Sequence, residues 1–174
     1  MKQSLVIAAI VFCLAGMSFT QASQQTRKWG LTWGRYDTER QGYSEIPLQV
    51  LNVPGGKLGP NEKFRIFVSK IKNQTEKTVI GAKFNWILFR TPDLNTVVQT
   101  AQTDLTNLNI GGNKEADVEI DIVNLEDIPF LQERNLKGVF HLEVVAVEVR
   151  YADGSVWVGK NIPGPSRRRP AKVD

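Results

Sequence analysis

From Trp29 onward the apolar and polar positions alternate in short runs of period two, and helical periodicity is scarce, so the chain reads as a series of strands separated by turns. A first strand spans Trp29 to Tyr36 and a second Ile46 to Leu51. Phe64, Ile66 and Val68 then face one way while Arg65 and Ser69 face the other, the pattern of a half-buried strand. The proline- and glycine-rich run Val53 to Glu62 is a loop before it, and Asn73 to Lys77 a loop after it. Val79 to Phe89 is apolar on both faces in its second half, which predicts a central strand. Thr91-Pro92-Asp93 stops it, and a short strand follows at Val97 to Thr100.

Beyond the turn at Gly111-Gly112-Asn113, Val118, Ile120 and Ile122 alternate with Asp117, Glu119 and Asp121, giving a strand with one wet face. Glu126 to Lys137 holds the one place for a helix, kept short by Pro129 and ended at Gly138. Val139 to Ala152 is the longest β segment. Its apolar set changes phase between Val144 and Val145, which predicts a β-bulge or a strand bending from one sheet to the other. Asp153-Gly154 predicts a tight two-residue type I′ hairpin to Ser155–Val158. Eight strands with at most one short helix predict an all-β fold, a single antiparallel immunoglobulin-like β-sandwich, with a barrel as the second packing.

The N-terminus changes the picture. Lys2, the apolar run Leu5 to Leu14 and the small residues around Thr20-Gln21-Ala22 have the layout of a secretory signal peptide over residues 1–22. That run is too short to span a bilayer, which takes about 20 apolar residues, so no stable membrane anchor is expected after cleavage. Residues 23–163 are then the β-sandwich domain and 164–174 a flexible basic tail. The only cysteine, Cys13, lies in the signal, so the exported chain has no disulfide, thiolate ligand or cysteine nucleophile. A small exported domain without disulfides points to a bacterial envelope, periplasmic or secreted.

The net charge of +4 falls by one with Lys2, and much of the excess sits at Arg167, Arg168, Arg169 and Lys172. A near-neutral globular part excludes a broad nucleic-acid-binding face.

The run from Ile71 to Trp86, IKNQTEKTVIGAKFNW, resembles the second-to-third strand region of small exported bacterial immunoglobulin-like domains of the FxLYD kind. There, a strand ends at an asparagine, a short polar turn with a lysine follows, and the next strand opens on an apolar-x-Gly/Ala step. The aromatic-Leu-Tyr-Asp signature of that family is not among these residues. The resemblance implies an accessory envelope module without established activity, and it transfers no functional residue.

Candidate chemistry is sparse. His141 is the only histidine and has no cysteine to pair with, while Ser69 and Ser155 lack a G-x-S-x-G context. A structural role is the expectation for His141, and no enzyme, cofactor or metal site is expected. Asp117, Glu119 and Asp121 share one side of a strand, but same-face residues stand about 7 Å apart, too far for all three to hold one calcium ion. Asn73-Gln74-Thr75 is a formal glycosylation sequon.

Trp29, Leu31 and Trp33 share a face of the first strand. Turned outward, Trp29 and Trp33 form a platform for sugar rings; turned inward, which large aromatics favour, they are core. The contact candidates are thus Trp29 and Trp33 for a ligand and Arg167, Arg168 and Arg169 for an anionic partner. The expected function is a noncatalytic exported interaction or structural module of the bacterial envelope, acting through contact with an envelope or secreted protein. The alternative is a carbohydrate-binding sandwich using Trp29 and Trp33.

Overall fold

The computed structural model describes residues 29–38, 45–57, 64–91, 94, 96–125, 128, 131, 137–160 and 162. The signal segment 1–22, Cys13 and the basic tail 164–174 lie outside the described residues, and of Trp29 only the backbone is described. Ten strands occur among the described residues: β1 (Trp29–Arg35), β2 (Leu48–Asn52), β3 (Gly55–Lys57), β4 (Phe64–Asn73), β5 (Val79–Arg90), β6 (Val97–Gln102), β7 (Thr106–Ile110), β8 (Glu115–Asn124), β9 (Gly138–Tyr151) and β10 (Val156–Val158). They form two sheets, so the fold is all-β.

In the larger sheet β5 and β9 are the antiparallel centre. β6 and β7 share the far side of β5, while β1, running parallel, and β10 share the far side of β9. In the smaller sheet β4 is central, with β2 and β3 on one side and β8 on the other.

Residues opposite each other in a ladder share a face. Phe84, Trp86 and Leu88 of β5 lie opposite Ala146, Val144 and Leu142 of β9, and all six are buried. Trp33, opposite Leu142 on β1, meets Phe64 of β4 edge-to-face at 5.4 Å, so this face is the one packed on the smaller sheet. Leu48, Val50, Ile66, Val68, Ile71, Ile120 and Ile122 close the core from the other side. Burying each large apolar side chain contributes roughly 1.5–3 kcal/mol, so the long central ladder outweighs the three-residue strands in stability.

The opposite face of β5 and β9 is also buried, at Asn85, Ile87, Phe89, Glu143 and Val145. This is the two-sided burial that the apolar run in Val79–Phe89 predicts. It also corrects the expected phase switch between Val144 and Val145. Trp86↔Val144 and Asn85↔Val145 pair in unbroken register, and the extra residue on β9 is Val147, between Ala146 opposite Phe84 and Glu148 opposite Lys83. The alternation fades earlier because both faces are covered there.

Two of the ten strands were not among the eight expected. β3 lies inside the Pro/Gly loop, where no side-chain pattern announces it. Gly55 is needed there because a Cβ would stand 2.7 Å from Trp33 Cζ2. β7 carries only Leu108 and Ile110 between asparagines. The expected hairpin is present, but its turn has three residues, Ala152 to Gly154. Tyr151 O accepts from Gly154 N and Tyr151 N donates to Ser155 O, and only Gly154 has positive φ, a type I turn with a glycine bulge. Asp153 escapes the left-handed region because its Oδ1 accepts from Ser155 N and Oγ. Of the expected helix at 126–137, only Ile128, Leu131 and Lys137 are described, and the first two are buried.

Candidate functional site

Strand β1 pairs with β9 up to Arg35↔Val144, Tyr36 N donating one further bond to Val144 O. β10 takes up the same side of β9 only from Glu148, with Gly159 N reaching Val147 O. Among the described residues, Val145 and Ala146 between them have a neighbouring strand on the β5 side alone. A cleft of about 530 Å³ opens at this gap. Ile46, Leu48 and Val50 form its apolar wall, Arg35, Tyr36 and Asp37 come from the segment leaving β1, and His141 and Glu143 from β9. The rest of the lining is largely polar, with Arg35, Asp37, Thr38, Gln49, His141 and Glu143 beside that wall.

Glu143 is the cleft's buried charge, 2% exposed. Its Oε1 lies 3.6 Å from His141 Nε2, and His141 Nδ1 lies 2.7 Å from Thr32 Oγ1, whose hydroxyl also approaches Phe140 O at 3.3 Å. A strand alternation puts His141 and Glu143 on one face, and the parallel register of β1 brings Thr32 beside His141. The sequence analysis passed over Glu143. Its signal was a single acidic residue inside the otherwise apolar stretch Leu142–Val147.

Trp33 does not line the cleft, and the side chain of Trp29 lies outside the described residues. Trp33 is half-buried, seated on Phe64 and on the bare backbone of Gly55, on the core side of β1. Arg167, Arg168 and Arg169 lie outside the described residues.

The acidic row of β8 is matched across the ladder. Arg65 bonds both Glu119 and Asp121 while its guanidinium sits 4.7 Å over the Phe67 ring, and Lys70 pairs with Glu115 at 3.3 Å. These carboxylates raise the Arg65 pKa, the hydrogen bond to Glu119 contributing most. Among the described residues no group of three or more His, Cys, Asp or Glu is placed to hold a metal ion.

The sequon has a structural occupation. Asn73 is fully buried, its Nδ2 donating to the carbonyls of Lys77, Ile110 and Gly111 at 2.7–3.2 Å, and its Oδ1 accepting from Thr75 N and Oγ1.

Two surface carboxylates are held ionised. Hydrogen bonds from Arg150 and then Lys83 lower the Glu148 pKa, and Lys77 followed by Ser155 holds Asp153 well below the usual carboxylate range. Depressed folded-state values give stability that is complete above the unfolded carboxylate range near pH 4 and is lost as pH falls through the folded values. The urea midpoint, followed by tryptophan fluorescence, is therefore expected to decline below about pH 4. In the double variant Glu148→Gln/Asp153→Asn that decline is expected to be shallower, and an unchanged slope would count against these two groups as its source. Compared with known protein families, curated proteins and solved structures, the chain matches none of them.

Proposed function

We propose that this chain is a noncatalytic exported module of immunoglobulin-like form that serves a bacterial envelope through contact with another protein. The observation that carries the reading is the open edge of β8, ten residues long and paired only with β4 among the described residues. An extended segment of a partner adds to such an edge by main-chain hydrogen bonds, with side chains setting specificity. The charged row on β8 guards the edge against indiscriminate pairing. β10, with Val156 and Val158 both exposed on a three-residue strand, offers a shorter second edge. The signal-like N-terminus supports export, the lack of any cysteine after Cys13 of the signal segment supports a bacterial envelope, and the likeness of Ile71–Trp86 to FxLYD domains supports the immunoglobulin-like form. The arginine run at 167–169 adds a second point of contact for an anionic surface.

The test is crosslinking in the intact native cell followed by affinity recovery, comparing the full chain with one ending at Pro165. A specific partner is expected, kept on truncation if the sheet edges make the contact and lost if the arginines do. Recovery of no protein partner from either chain would sink the reading.

A further inference from the structure

We propose that Asp153-Gly154 is a modification site, where the main chain converts to isoaspartate through a succinimide, and that Lys77 and Ser155 hold this conversion back in the fold. It is the one Asp-Gly step in the sequence, which has no Asn-Gly, and the missing side chain of Gly154 leaves the attacking nitrogen least hindered.

In this reaction the Gly154 nitrogen attacks the side-chain carboxyl carbon of Asp153, the new C–N bond closes a five-membered ring, and the amide proton leaves with the carboxyl hydroxyl as water. Water then reopens the ring, and opening at the main-chain carbonyl routes the peptide through the side chain. The reaction needs a protonated carboxyl, an amide free to give up its proton, and a side chain able to swing onto the nitrogen. The turn opposes each. Asp153 Oδ2 accepts from Lys77 Nζ at 2.8 Å, and Oδ1 accepts from Ser155 N at 2.9 Å and from Ser155 Oγ at 2.6 Å. These bonds favour the carboxylate, keep it ionised and pin the side chain towards Ser155. Gly154 N is already donating to Tyr151 O at 3.0 Å. Lys77 is fixed in turn, since its Nζ also donates to Ser155 Oγ at 2.9 Å and lies 5.4 Å from the centre of the Tyr151 ring, while Ala152 N donates to Thr78 O beside it. The Asp153 side chain is half-exposed, so water reaches it and the protection comes from these bonds rather than from burial. Isomerisation adds a methylene to the main chain of a turn closed by Tyr151 and Ser155, and so weakens the hairpin that carries β10.

The test incubates the full chain and the free peptide Tyr151–Lys160 side by side at neutral pH. Trypsin releases the same peptide from the chain, after Arg150 and Lys160, and chromatography separates its aspartate and isoaspartate forms. Isoaspartate is expected to accumulate in the free peptide and about tenfold or more slowly in the folded chain, the suppression that one hydrogen bond to a charged group allows. Lys77→Met is expected to speed the folded chain about two- to fivefold, the worth of an exposed ion pair, and Lys77→Met/Ser155→Ala about tenfold. Lys83→Met, which removes the 3.0 Å pair to Glu148 on the same sheet, is the control and should leave the rate unchanged. Equal rates in the folded chain and the peptide overturn the inference. So does a double variant no faster than the unaltered chain, or a Lys83→Met chain as fast as the double variant, which would trace the change to general loosening of the fold. Should a variant fail to fold, the rate of the unaltered chain against the free peptide decides alone.

Discussion

Asn73→Asp is expected to destabilise the fold by about 3–5 kcal/mol, the cost of leaving a buried charge without compensation. The substitution keeps the size and shape of the side chain and reverses its chemistry. Asn73 donates to three carbonyls, of Lys77, Ile110 and Gly111, from a site with no solvent exposure. A carboxylate has no donors, so it would face three carbonyl oxygens, while only Thr75 still donates to it. Protonation relieves the conflict at the expense of a raised pKa, so the loss should shrink as pH falls, opposite to the acid weakening expected from Glu148 and Asp153. Urea unfolding at pH 7 and pH 4 measures both effects; a loss under about 1 kcal/mol at pH 7 would mean that the side chain is not the tie between the two turns that its bonds describe. The same bonds remove Asn73 as a glycan acceptor in the folded chain, because its Nδ2 is committed and inaccessible.

How much of this was legible beforehand depends on whether a feature is written in neighbouring residues or in distant ones. The alternation Phe64-Ile66-Val68 and the row Asp117-Glu119-Asp121 each sit within a single strand, and both strands are where the pattern puts them. The two-sided apolar run ending at Phe89 likewise marks the centre of the larger sheet. β3 was hidden because glycines carry no pattern, and its pairing with β4 is fixed by tertiary contact under Trp33. The cleft was hidden for a longer-range reason. It exists because β1 stops at Arg35 against a strand more than a hundred residues later, and β10 resumes four residues along that strand. Nothing local to Glu143 records either event, so its carboxylate reads as a lapse in an apolar run. Asn73 sits between these cases: its role in a turn is local, whereas its bonds to Ile110 and Gly111 reach across to another turn.

Gly112→Ala is expected to cost about 2–4 kcal/mol, more than a usual overpacking change, because the obstacle is main chain. A Cβ at this position would stand 2.1 Å from Glu76 O, 2.5 Å from its carbonyl carbon and 2.8 Å from its Cα. A side chain in the way turns to another rotamer, but a peptide unit moves only with its turn, and this turn is held by Asn113 N donating to Thr75 O and by the Asn73 side chain. Gly112 is thus required for close approach of two loops, since its φ is not in the left-handed region. Gly111→Ala is the control: its new Cβ meets Lys114 Cγ at 3.6 Å, an ordinary contact, and the cost should stay below about 1 kcal/mol. Because Asn73 and Gly112 fasten the same pair of turns, the double variant with Asn73→Ala should lose less than the sum of the single losses. Once one change has parted the turns, the other has little left to disturb. Strict additivity in that cycle would show that the asparagine bonds and the glycine contact act independently, and would dissolve the joint between the β4–β5 and β7–β8 connections into two unrelated details.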